Sequence, residues 1–137
     1  MNEIDILGFD SVADAERGFE IELTSPDGVT GTGVFVTVLG RNADAVRKFV
    51  NGVIDRQTRE AAIAQRKGKT PEPKSMDDLH TQNIESAAVR VTGWRNVKQT
   101  FDRDVLRQAL RRNPHWIDQI IDASADIGNF STAQPSN

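Results

Sequence analysis

Cysteine is absent from this chain and histidine occurs only twice. Without cysteine there are no disulfides, no thiolate metal ligands and no thiol nucleophile, a composition compatible with a reducing compartment. No apolar run approaches the ~20 residues of a membrane helix. The first residues, Met1-Asn2-Glu3-Ile4-Asp5, are acidic where a secretory leader would be basic. The expectation is a soluble chain without membrane contact that stays in the cytoplasm where it is made. A dominant charge is lacking too. Lys and Arg number 17 against 20 Asp and Glu, a net charge of -3, which gives no general attraction to nucleic acid or acidic lipid. The basic cluster at residues 65–74 surrounds Gly68, Pro71 and Pro73 and has no interleaved aromatic to stack a base, so it reads as a solvated loop.

What is present suits one domain, since 137 residues bury enough core to fold without staples. Ser11 to Arg17, followed by Gly18, has the make-up of a short helix. From Phe19 the pattern changes to strict alternation, Phe19-Glu20-Ile21-Glu22-Leu23-Thr24, the mark of a half-buried strand. Ser25-Pro26-Asp27-Gly28 supplies a turn, and Val34 to Leu39 a second, β-branched strand, with room for a bulge at Gly31-Thr32-Gly33. A long helix capped by Asn42 follows, with Val46, Phe49, Val50, Val53 and Ile54 on one face and a polar C-terminal half. A third helix starts at Ser75 and carries Met76, Leu79, Asn83, Ala87 and Val91 along one side until Gly93 interrupts it. Asp102 caps a short helix with the stripe Val105, Leu106, Ala109 and Leu110. Asn113-Pro114 makes a corner, and a last helix buries Trp116, Ile117, Ile120, Ile121 and Ala125 before a left-handed stop at Gly128. The expected architecture is α+β: an N-terminal β-hairpin packed on a mainly helical body, one domain over residues 1–130 with a flexible tail at 131–137.

Catalytic chemistry is hard to assemble from these residues. His115, Asp118 and Asp122 share one side of the last helix at a spacing that can hold a metal, but that side faces solvent in a helix whose apolar face is already assigned. Gly31-Thr32-Gly33 lacks the downstream lysine of a phosphate loop. Asp102 and Asp104 serve as cap and first-turn charge, and neither histidine stands in a nucleophile setting. The reading is a non-enzyme with no metal and no cofactor. The chain instead gathers its two tryptophans into the last third, which points to packing or protein docking. The candidate partner-binding residues are Trp94, Phe101, Leu106, Leu110, Trp116, Ile120 and Phe130.

The order of these features resembles the tail assembly chaperones of long-tailed bacteriophages. The resemblance rests on Phe19-Glu20-Ile21-Glu22-Leu23 leading into Ser25-Pro26-Asp27-Gly28, then Leu39-Gly40-Arg41-Asn42 before a long charged helix. It continues through Val91-Thr92-Gly93-Trp94-Arg95-Asn96-Val97, Phe101, Leu110, Asn113-Pro114, Trp116-Ile117 and Asn129-Phe130, so it spans residues 19 to 130. Members of that family often place a glycine-rich turn after the tryptophan, where this chain has Asn96 to Thr100. The resemblance implies a chaperone in the host cell cytoplasm that binds the tape measure protein, keeps it soluble, and hands it to the tail tube protein; separately, the free edge of the hairpin and the half-polar long helix leave room for self-association. The alternatives are a structural tail subunit of the tube or joining type, or a protein-binding adaptor domain unrelated to phage.

Overall fold

In the computed structural model residues 3–130 are described, and the tail expected at 131–137 lies outside them. The alternating run forms strand β1 (Phe19–Thr24), which pairs antiparallel with β2 (Gly31–Val38). The turn between them uses Gly28 at φ +75°, where its amide donates to the Ser25 carbonyl at 2.9 Å. Glycine enters that left-handed region at little cost. The Asp27 carboxylate accepts from the Val29 and Thr30 amides at 2.8 and 2.9 Å. The Thr30 hydroxyl, together with these amides, holds the Asp27 carboxyl below its usual range. The register shifts between Glu22 and Thr24, opposite the glycine pair where the sequence predicts a bulge.

The sheet has a third strand that the periodicity does not predict. Helix α3 (Met76–Arg90) stops at Arg90, and Val91–Arg95 continues directly as β3, antiparallel to β2, in the order β1-β2-β3. The expectation of helix through Val91 is therefore corrected. Val91 and Thr92 are β-branched and Gly93 is a poor helix former, so the segment gives way to the ladder that the edge of β2 offers. A hairpin alone is marginal in water, and a third strand with one apolar face makes the sheet self-sufficient.

The helices start largely where the sequence places them, and some of their caps differ. Asp10 caps α1 (Ser11–Arg17), accepting the Ala13 amide at 2.9 Å. Helix α2 (Asp44–Arg66) has Ala43 at its cap position, so the Asn42 cap is corrected. Its Asp44 amide donates instead to the Glu16 carboxylate of α1 at 2.7 Å, a partner that only folding brings near. Ser75 caps α3 as expected, at 3.1 Å from the Asp78 amide. The buried side of α3 is formed by Ile84, Ala87 and Ala88 in its second half, whereas Met76 is 80% exposed, because the first turns lie beyond the core. Asp102 caps α4 (Arg103–Arg112) as predicted, accepting from the Asp104 amide at 2.7 Å. Pro114 opens α5 (Pro114–Ala125), but the Asn113 side chain donates back to the Ala109 carbonyl at 3.0 Å and caps nothing ahead of it. Helix α5 ends at Ala125 without a left-handed glycine, and a 3-10 turn, Ile127–Phe130, follows. Ala125, predicted to be buried, is exposed, and its neighbour Ser124 is buried instead.

The main core lies between the sheet and α3, α4 and α5, and includes Leu23, Val36, Ile84, Leu106, Leu110 and Ile120. A smaller cluster of Ala15, Leu39, Ala43 and Val46 fastens α1 and the start of α2. Here Gly40 lets α1 approach closely: a Cβ on it would stand 2.7 Å from the Ala15 Cβ and 3.0 Å from the Ala15 Cα. Overpacking of that kind costs about 1–3 kcal/mol. Gly40→Ala is therefore expected to lower the unfolding free energy by about that amount. It should also strip hydrogen-exchange protection from α1, whereas unchanged protection would show that the contact relaxes freely.

Candidate docking surface

A recess of about 230 Å³ opens between the sheet and the α4–α5 corner. Its floor is Leu23 and Leu106, and its walls are Val34, Trp94, Val105 and Trp116. Three elements set this geometry. β3 places Trp94 across from Val36 of β2, on the same side of the sheet as the core. The Trp94 indole then donates to the Gln99 carbonyl at 2.8 Å and meets the Phe101 ring edge-on with centroids 5.0 Å apart, which wraps residues 96–100 around it. Asn96 turns that connection at φ +63° and donates to the Gly33 carbonyl at 2.7 Å. Asparagine is one of the few side-chain-bearing residues that tolerates this region, so the turn forms here without a glycine.

Trp116 enters from α5, where its indole donates to the Thr24 carbonyl at 2.6 Å, an oxygen that also lies 2.9 Å from His115 Nε2. One step along the same helix face, the Gln119 carboxamide accepts from the Thr24 amide at 3.1 Å and donates to the Glu22 carbonyl at 2.7 Å. A side chain here does what a neighbouring strand would do, which blunts the end of the β1 edge against strand pairing. Gln119→Leu is expected to cost about 1 kcal/mol and to speed amide exchange at Thr24. Unchanged exchange there would mean that the amide finds another acceptor.

Of the seven residues singled out from the sequence, Trp94, Leu106 and Trp116 line the recess and Phe101 braces Trp94. Leu110 and Ile120 have no exposed surface and belong to the core, so no partner reaches their side chains while the fold is intact. Phe130 is also buried and lies elsewhere, edge-on to Phe19 at 6.0 Å. Sequence reasoning missed Leu23, Val34 and Val97 as lining residues, together with the polar rim of Gln99, Gln108 and Arg112. Alternation assigns Leu23 and Val34 to the core face, but only the position of β3 reveals that this face is left partly open.

Arginines hold the helices that frame the recess. Arg103 donates to the Val91 carbonyl at 3.0 Å, at the junction of α3 and β3. Arg107 bridges Glu85 of α3 and Asp104, both at 2.7 Å, and the Glu85 bond is the main reason its pKa is raised. On the opposite face of the sheet, Arg95 makes a two-bonded pair with Glu20 at 2.8 Å and lies 3.9 Å from the Phe35 ring centre. That hydrogen bond lowers the Glu20 pKa and raises that of Arg95, and the exposed pair is screened by solvent.

His115 is occupied by its contact with the Thr24 carbonyl, and Asp118 and Asp122 are exposed. Among the described residues no group of three or more His, Cys, Asp or Glu is placed to hold a metal, and no helix is long and apolar enough to cross a membrane. A wider hollow of about 520 Å³ between α2 and α3 is lined by charges of both signs, among them Arg56, Glu60, Lys74 and Asp78. The recess at Trp94 and Trp116 differs in being mainly apolar. Its volume falls below the roughly 300–1,000 Å³ of small-molecule sites, which suits one or two apolar side chains of a peptide. Set against protein-family models, curated proteins and solved structures, the chain matches none of them.

Proposed function

We propose that this protein is a phage tail assembly chaperone that binds the tape measure protein, keeps it soluble and promotes its meeting with the tail tube protein. The reading starts from the resemblance in residue order. The observation that carries it further is that Trp94 and Trp116, distant in sequence, wall one apolar recess with Leu106 at its floor. A shallow apolar slot with a polar rim can take the anchor side chains of an amphipathic helix and release them again. Tryptophan is enriched among residues that carry binding energy. The blunted end of β1 favours this reading over a tube subunit, which would use strand edges for assembly.

The experiment is coexpression with a tape measure protein from the same genome, with and without this chain, followed by a solubility comparison and pull-down. Solubilisation and copurification support the chaperone, and Gln108→Trp, which fills the recess from an exposed position, should abolish both. A partner that aggregates equally in both cases overturns the proposal.

A further inference from the structure

The segment before α1 is the most exposed apolar stretch of the described chain. Ile4, Ile6, Leu7 and Phe9 are 71–87% exposed, and the 3-10 turn Ile6–Gly8 buries none of its residues. This exposure accompanies a defined local conformation. The Asp5 carboxylate accepts the Leu7 amide at 3.1 Å, and the Asp10 carboxylate caps α1, so the two caps set the turn and leave its large side chains outward. The same segment carries three carboxylates, Glu3, Asp5 and Asp10, and no basic side chain. The recess at Trp94 has the complementary character. It is apolar, and Arg112 on its rim makes no ion pair among the described residues, with Arg111 and Lys98 exposed in the adjoining segments.

We propose that residues 3–10 of one copy seat in the recess of a second copy, with Leu7 or Phe9 between Trp94 and Trp116 and the carboxylates facing Arg112. A second copy is favoured over the chain's own recess by position. Helix α1 docks at Gly40 beside Ser124 and Phe130, at the far end of α5 from Trp116. Along the helix these sites are about 12 Å apart at 1.5 Å per residue, and the Ile6–Gly8 turn with the Asp10 cap holds the segment at the α1 end. The resulting contact is heterologous, a segment meeting a different surface, and such contacts build rings or open chains rather than closed two-fold pairs. This inference goes beyond the chaperone reading and does not depend on it.

The test is sedimentation velocity of the full chain over a concentration series. The wild-type chain is expected to associate, and Leu7→Asp, which alters an exposed side chain, to weaken association at least tenfold. Gln108→Trp should weaken it from the other side. Mixing these two variants leaves one intact segment and one intact recess, so a discrete 1:1 complex that does not grow further is the expected result. Arg112→Glu should weaken association, and Glu3→Lys in the same chain should restore part of it. Association unaffected by Leu7→Asp overturns the proposal. So does a monomer at every concentration, including one whose tryptophan fluorescence responds to Leu7→Asp, since that would place the segment in its own recess. Because no tape measure protein is present, failure here leaves the coexpression result untouched.

Discussion

Leu110→Ala is expected to lower the unfolding free energy by about 2–5 kcal/mol, the range for removing a fully buried leucine side chain. Leu110 has no exposed surface and belongs to the cluster that joins α3, α4, α5 and the sheet. Domains of this kind hold about 5–15 kcal/mol in total, so the variant should be partly unfolded near physiological temperature. Urea unfolding measures the loss, and an unchanged dependence on denaturant would confirm that stability, rather than the denatured state, has moved. The substitution also separates packing from docking. Loss of partner binding in Leu110→Ala should be recovered by cooling or by any stabilising change, whereas loss caused by filling the recess should not. A cost below about 1 kcal/mol would show that the cluster collapses into the vacated space.

The second large effect is expected at Ser124. Arg90 is only 8% exposed. Its Nε donates to the Ser124 hydroxyl at 3.1 Å, and another guanidinium nitrogen donates to the Ser86 carbonyl and hydroxyl at 2.6 and 2.7 Å. No carboxylate pairs with it among the described residues, and burial pulls its pKa down. A buried cation held by neutral acceptors depends on every one of them. Ser124→Ala is expected to cost about 1–3 kcal/mol, towards the upper end because the stranded donor is charged. Arg90→Met in the same background should recover part of that loss, since replacing both partners by apolar groups removes the desolvation penalty. Equal stability of Ser124→Ala and wild type in urea would mean that water satisfies the guanidinium instead.

Much of this architecture is legible from local patterns. The alternation from Phe19 to Thr24 gives β1, the Ser25–Gly28 turn forms with Gly28 at positive φ, and Ser75 and Asp102 cap the helices that they precede. Each of these depends on neighbours a few residues away. Two of the errors have the opposite property. The cap of α2 comes from Glu16 of α1, and the buried face of α3 is set by where the core lies, over Ile84, Ala87 and Ala88. In each case the deciding partner is distant in sequence. The candidate site divides in the same way. An aromatic-rich last third pointed to Trp94 and Trp116, but their meeting at one recess needs β3 on one side and the Thr24 carbonyl anchoring the indole of Trp116 on the other.

By itself the sequence determined the α+β class, the hairpin and the approximate helix starts, and it placed both tryptophans in the last third. Those follow from periodicity and capping, which act within a turn or two of chain. Only the tertiary structure decided that Val91–Arg95 would be a strand, because a five-residue segment of mixed preference takes the conformation that a free ladder rewards. It likewise decided which apolar residues would be sealed in the core and which left facing a recess. Both kinds carry the same hydrophobic signal, and they differ only in whether another element arrives to cover them.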